Sequence, residues 1–221
     1  GGPICAGPLN SANAPDVLTL RATDMQLNMR VAGNSVILLP QANGTIGLAG
    51  GTGTLQLSTA ELSQITTKSL RIGERAAAGD TSNSGAITFG SITTPAGMSL
   101  EVRSGGSITT NVAGTNITVS DAKFTVNAGG DIGATGTGTL QIDSGTGQVS
   151  LTTGGNATTG AGTTITTNNA NVTVNAGTDI GTTGTGTLQI NSGNANITLT
   201  ATGGNIGATG AGRLQIGRAH V

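Results

Sequence analysis

One three-part phrase returns four times between Phe124 and Ile216, and no other feature constrains the fold so tightly. Its clearest copies are VNAGGDIGATGTGTLQIDSG, beginning at Val126, and VNAGTDIGTTGTGTLQINSG, beginning at Val174. The first part carries the apolar pairs Phe124/Val126, Val149/Leu151, Val172/Val174 and Ile197/Leu199. The second carries one small or branched residue, Ile132, Ala157, Ile180 or Ile206, and the third carries Leu140/Ile142, Ile165, Leu188/Ile190 and Leu214/Ile216. A copy of the first part therefore lies between the two that start at Val126 and Val174, so their near-identity spans two periods.

Each period is about 24 residues, within the range of solenoid repeats. Short pieces with apolar residues at alternate positions, separated by Gly, Asn, Thr and Ser, fit a solenoid of strands better than a helical repeat. Alternation sends both members of a pair to the same side of a strand. Glycine at the corners permits positive φ, and Asn or Asp there can hydrogen-bond nearby backbone. The pattern therefore predicts an all-β chain folded as a parallel β-helix, with three short strands per rung and Val126, Leu151, Val174 and Leu199 in one column. The preference of parallel crossovers for one hand makes the expected coil right-handed. One rung buries too few aliphatic side chains to offset the conformational entropy of ordering it, so rungs must share faces and fold together.

The composition suits such a coil. The chain has 39 Gly and 39 Thr but only two Phe and no Trp or Tyr, which would leave an ordinary globular core short of large side chains. A disordered chain of this composition has no reason to keep apolar pairs in register. With a net charge of −1, and only Asp143, Asp179, Arg213 and Arg218 charged beyond Gln141, there is no basic stripe for nucleic acid and no aromatic platform for bases. No apolar run approaches the length of a membrane helix. Cys5 is the only cysteine, which excludes an intrachain disulfide. The opening GGPICAGPLN carries neither an initiating Met nor a signal peptide and reads as the interior of a longer protein.

Along the chain, residues 1–16 form an irregular segment in which Pro3, Pro8 and Pro15 discourage strand pairing. Residues 17–97 are read as less regular rungs, with strands expected at 17–20, 26–31, 35–39, 45–48 and 54–57. TAELSQI at 59–65 has the composition of a helical turn at a corner. ANGTIGLAGGTGTLQL, from Ala42, is a relative of the later phrase with one extra residue. ERAAAGDTSNSG at 74–85 breaks the period and is predicted to protrude as a loop. Residues 98–216 hold the regular repeats.

Two stretches resemble a known family. LSTAELSQITTKSLRIGERAAAGDTSNSGAITFGSIT, residues 57–93, is similar to a phrase of large filamentous-haemagglutinin-like bacterial exoproteins, in which an AELSQIT-like piece leads to an L-x-I-G strand and then G-x-I-T. GGSITTNVAGTNITVSDAKFTVNAGGDIG, from Gly105, resembles their repetitive shaft. The resemblance implies a secreted or surface-exposed adhesin of a Gram-negative bacterium, its parent protein exported by an outer-membrane transporter partner in two-partner secretion. IGRAHV at the end is similar to one reading frame of a sequencing-library adapter, so residues 217–221 are read as an artefact, which sets aside His220, the only histidine.

Motifs of chemistry are sparse. Without His220 there is no triad histidine, no Cys/His metal cluster and no phosphate loop that opens a helix, since each GTGTG string leads into a strand. No cofactor is expected. One corner reads Ser107, Asp131, Asn156, Asp179, Asn205, which would place Asp131 and Asp179 about 10 Å apart. These two are too few for a calcium site and lack a neighbouring base for catalysis, so an Asx-turn ladder that keeps like charges apart is expected there. Thr135, Thr137 and Thr139, with Thr183, Thr185 and Thr187, suggest an ice-binding array, but the rung between them interrupts it at Ala161. The Asn-x-Thr sites at Asn43, Asn116, Asn156, Asn171 and Asn196 fit turn and strand chemistry. The 74–85 loop, with Glu74, Arg75 and Asp80, is the candidate for ligand contact because it alone concentrates charge outside the rungs. The expected function is therefore a non-enzymatic structural and adhesive shaft segment touching host or matrix glycans or surface proteins and prone to end-to-end self-association. The alternatives are a fragment of a β-helical carbohydrate-active enzyme and an ice-binding solenoid.

Overall fold

A computed structural model describes residues 16–76, 83–110, 114–135, 138–182, 186–207 and 211–217. Residues 1–15, Asp80 and the 218–221 tail lie outside them.

Three long parallel sheets make up the molecule, a solenoid-like all-β architecture. The first has eight strands in the order β1 (Val17–Ala22), β3 (Ser35–Pro40), β7 (Ser69–Ile72), β10 (Ser99–Ser104), β13 (Phe124–Ala128), β16 (Val149–Thr153), β19 (Val172–Ala176) and β21 (Ile197–Ala201). The second runs β17 (Ala157–Thr159), β14 (Ile132–Ala134), β11 (Ile108–Thr110), β8 (Ile87–Phe89), β4 (Ile46–Leu48) and β5 (Leu55–Leu57). The third runs β22 (Arg213–Gly217), β20 (Thr187–Asn191), β18 (Gly162–Thr166), β15 (Thr139–Asp143), β12 (Thr115–Val119) and β9 (Ile92–Thr94). A two-stranded pair, β2 (Val31–Ala32) with β6 (Ile65–Thr66), and the helix α1 (Thr59–Ser63) complete it.

Every strand pairing is parallel, and the alternating sequences decide which side chains meet. Val126 pairs with Leu151, Leu151 with Val174 and Val174 with Leu199, giving the column read from the sequence. Phe124, Val149, Val172 and Ile197 form a second column beside it. Isolated bridges carry the second sheet onward from Ala157 through Ile180 to Ile206. Where Ala157 replaces isoleucine, a bulge follows at Thr158, with φ of 66° and a fully buried side chain.

The early part departs from the expected strands in two places. Residues 26–30 form no strand, and only Val31–Ala32 pairs, with Ile65–Thr66. The early relative of the repeat also behaves differently from its later copies. Ile132 and Leu140 of the later phrase enter different sheets, whereas Ile46 pairs directly with Leu55 in one sheet. The stretch between β4 and β5 folds back through positive φ at Ala49 and Gly50, and a Cβ on Gly47 would sit 2.2 Å from the Gly51 carbonyl oxygen. Glycine makes so short a parallel connection possible.

TAELSQI does form a helical turn. Ser58 caps α1: its hydroxyl accepts from the Glu61 N–H at 3.2 Å, and Glu61 accepts from the Ser58 N–H at 2.8 Å. Leu62 is the residue that α1 buries.

Candidate functional site

On the eight-stranded sheet the outward positions of β7 and β10 are charged, and those of the strands from β13 to β21 are neutral. In strands that read SLRI and SLEVRS, alternation turns Leu70, Ile72, Leu100 and Val102 inward and leaves Arg71, Glu101 and Arg103 outside. Glu74 follows β7 and joins them. Arg71 approaches it at 2.9 Å and Arg103 at 3.6 Å, while Arg103 also meets Glu101 at 2.8 Å. These half-exposed ion pairs contribute little individually and act mainly to fix side-chain positions.

The segment containing Glu74 and Arg75 begins as a structural strap. Its neck is closed by the Glu74 N–H donating to the Ser84 hydroxyl at 2.8 Å, the Ser84 N–H donating to the Glu74 carbonyl at 2.9 Å, and the Ala76 N–H donating to Asn83 Oδ1 at 2.8 Å. Arg75 reaches across the sheet, donating to Asn127 Oδ1 at 2.5 Å and to the Ala128 carbonyl at 2.6 Å. Of the three charged residues expected to contact ligand, Glu74 and Arg75 are thus engaged with the coil, and Asp80 lies outside the described residues. Sequence reading does not single out Arg71, Arg103 or Asn127. The signal is present, because Arg71 faces Glu101 and Arg103 faces Asn127 once the strands are in register.

Beyond β10 the same face is neutral. Thr125, Ser150, Thr173 and Thr198 form one outward column, and Asn127, Thr152, Asn175 and Thr200 form another. Neighbouring rungs set these groups about 4.8 Å apart. Apart from Asn127, which holds the Arg75 guanidinium, the result is a regular, uncharged array of hydroxyl and amide groups.

The Asp131 corner is a ladder, but its bonds run between rungs instead of closing local Asx turns. Ser107 Oγ accepts from the Asp131 N–H at 3.0 Å, Asp131 Oδ1 from the Asn156 N–H at 2.7 Å, and Asp179 Oδ1 from the Asn205 N–H at 2.7 Å. Asn156 Oδ1 continues it, accepting from the Thr178 hydroxyl at 2.7 Å. In each carboxylate Oδ1 is occupied by backbone, and among the described residues no group of three or more His, Cys, Asp or Glu side chains is arranged to hold a metal.

A second corner alternates with the same two-period spacing as the near-identical copies. Asp121, Gly145, Asn169 and Gly193 occupy it on successive rungs, with φ of 53°, 54°, 59° and 60°. Asp121 Oδ1 accepts from the Thr146 N–H at 3.0 Å, and Asn169 Oδ1 from the Asn194 N–H at 2.9 Å. A Cβ on Gly145 would come within 2.4 Å of Asp121 Oδ1, and one on Gly193 within 2.5 Å of Asn169 Oδ1. A side chain there would push the Asp121 or Asn169 oxygen off its bond to the next rung, so the glycine rungs preserve those bonds.

Asn171 behaves like the other ladder residues, accepting from the Asn196 N–H at 3.0 Å, and Asn43 takes positive φ, in keeping with turn chemistry at the Asn-x-Thr sites. Of the threonines considered for ice, Thr137, Thr183 and Thr185 lie outside the described residues, as do Cys5 and His220. No family model matches the chain, and no curated protein or solved structure matches it either.

Proposed function

We propose that this chain is a segment of the rigid shaft of a large, secreted or surface-exposed adhesin of a Gram-negative bacterium. In this reading it is a right-handed parallel β-helix with three short strands in each turn of the coil, one turn per sequence period. Its role is mechanical and adhesive, without enzymatic chemistry, and the parent protein is exported with an outer-membrane transporter partner. The observation that carries the reading is the unbroken register from Leu100 to Leu199 beneath a neutral outer array of Thr, Ser and Asn. Continuous backbone ladders make such a coil stiff along its axis, and hydroxyl and amide columns offer repeated weak hydrogen bonds to glycans or to surface proteins.

Binding of the purified chain to immobilised glycans and matrix proteins tests the adhesive part. Saturable binding should weaken when Thr125 and Thr173 are both changed to lysine. Absence of binding to every surface at high protein concentration overturns it. Sequence flanking the coding region tests the export part, since an adjacent outer-membrane transporter gene is expected.

The exposed edges support self-association of this chain. Among the described residues β21 and β22 have a strand partner on one side only, and Ile206 and Ile216 beside them are about half exposed, as are Val17 and Met29 at the other end. Unpaired edges of this kind recruit further strands. Sedimentation should show mass rising with concentration.

A further inference from the structure

The third sheet stops in the middle of the molecule. Among the described residues its last strand, β9, pairs with β12 on one side and with no strand on the other, yet the other two long sheets continue past this level, through β3 and β1 in one and through β4 and β5 in the other. Beside the free edge of β9 lies α1, and between the two is an open cavity of about 300 Å³.

Its floor is the coil's own interior. Leu70, Ile72, Met98 and Leu100 line it and are buried, with Leu62 of α1 on one wall and Ile92 of β9 on the other. The rim is neutral and polar, formed by Thr59, Ser63 and Thr93, all exposed. Elsewhere in the coil this combination of an unpaired parallel edge above inward aliphatic side chains is filled by another strand with apolar residues at alternate positions. Among the described residues, nothing hydrogen-bonds to the side of β9 turned away from β12.

We propose that this gap is a strand-accepting slot: a short extended peptide, with apolar residues at alternate positions and neutral polar residues between, adds to the free edge of β9. Main-chain hydrogen bonds to β9 would supply part of the affinity, and burial of the apolar side chains over Leu70, Met98 and Leu100 would supply selectivity. Three residues of strand cover about 10 Å, which matches the length of β9. A charged peptide would gain nothing from the uncharged rim. The slot is separate from the neutral outer array proposed for adhesion, and neither proposal depends on the other.

The probe is a fluorescein-labelled heptapeptide of alternating threonine and valine with a lysine at each end. Anisotropy should rise saturably, and hydrogen exchange should slow at those amides of Ile92, Thr93 and Thr94 that face the gap. Ser63→Trp and, separately, Thr59→Trp lay an indole over the opening from exposed helix positions. Either should weaken binding at least about tenfold without lowering the melting temperature. A peptide of the same composition with its valines adjacent should bind less well. The proposal is overturned by absence of saturable binding, or by binding that both tryptophan variants leave intact. Binding that leaves exchange at β9 unchanged and is displaced by an anilinonaphthalene sulfonate dye also overturns it, assigning the cavity to small apolar molecules instead.

Discussion

Before β10, the strands of the eight-stranded sheet follow one another at uneven intervals along the chain: Val17 pairs with Ser35, Ser35 with Ser69 and Ser69 with Ser99. From β10 onward the steps are nearly equal, from Leu100 to Phe124, Val149, Val172 and Ile197. The early part accommodates its variable lengths with a capped helix, a folded-back pair of strands, and a strap held by Arg75. The later part uses none of these. Its corners repeat the same three devices: a side chain accepting from the backbone one rung further on, a left-handed residue, and a glycine where two backbones touch. Backbone contact at glycine serves both parts, at Gly51 and Gly90 early and at Gly129 and Gly177 later, and what the variable spacing adds is individually placed side chains.

That contrast can be broken most directly at the glycines. Gly129→Ala would place a Cβ 2.0 Å from the Gly105 carbonyl oxygen, while Gly50→Ala, at φ of 96° in the early part, meets open space. Urea melts should show a loss above about 3 kcal/mol for the first and about 1 to 2 kcal/mol for the second. Equal losses would mean that close backbone contact costs a side chain no more than a left-handed backbone does. Next in size is Leu151→Ala, which empties the middle of a packed column and should cost about 3 to 4 kcal/mol. Leu62→Ala, beside a cavity that already exists, should fall near about 2 kcal/mol.

Smaller changes sharpen the comparison. Asp131→Ala leaves the Asn156 N–H without its acceptor and should cost about 1 to 3 kcal/mol, much of which Asp131→Asn should restore. Thr163 should move stability the other way. It sits between Leu140 and Leu188, and its buried hydroxyl has no hydrogen-bond partner among the described residues, so Thr163→Val should stabilise the chain by about 1 kcal/mol in the same melts.

The smallest effect is a pH dependence confined to the early part. Partial burial raises the Glu61 carboxyl, but donation from the Ser58 N–H, the Ser58 hydroxyl and the Leu27 N–H outweighs it and holds the group below its ordinary value. A carboxyl lowered in this way stabilises fully above its unfolded value, and the contribution disappears as pH falls through the folded one. Protection factors around residues 58–64, taken relative to the intrinsic exchange rate at each pH, should therefore fall on acidification through the low carboxylate range, and Glu61→Gln should flatten that response.

The stacked columns are legible in the sequence because alternation and period determine them together: the pairing of Val126 with Leu151 needs only the two strands and their spacing. The helical turn at 59–63 is legible for a local reason, its Ser58/Glu61 capping pair. Asp131 is legible as a corner residue but not as a bond between rungs, since composition says nothing about whether a side chain bonds to its own rung or the next. The pairing of Ile46 with Leu55 is hidden because its sequence matches the later phrase almost residue for residue, and one additional residue redirects it. Arg75 reads as projecting away from the coil. Its partners Asn127 and Ala128 are 52 and 53 residues distant, and that meeting exists only once three strands are side by side.

The alternation of Asp121, Gly145, Asn169 and Gly193 also bears on how such a gene can change length. Unequal crossing-over that removes a single copy would bring Asn169 directly above Asp121, where its Cβ would press on the Asp121 carboxylate oxygen and displace its bond. Loss or gain of two copies together restores the original neighbours at every corner, so recombination should lengthen or shorten this coil in even steps.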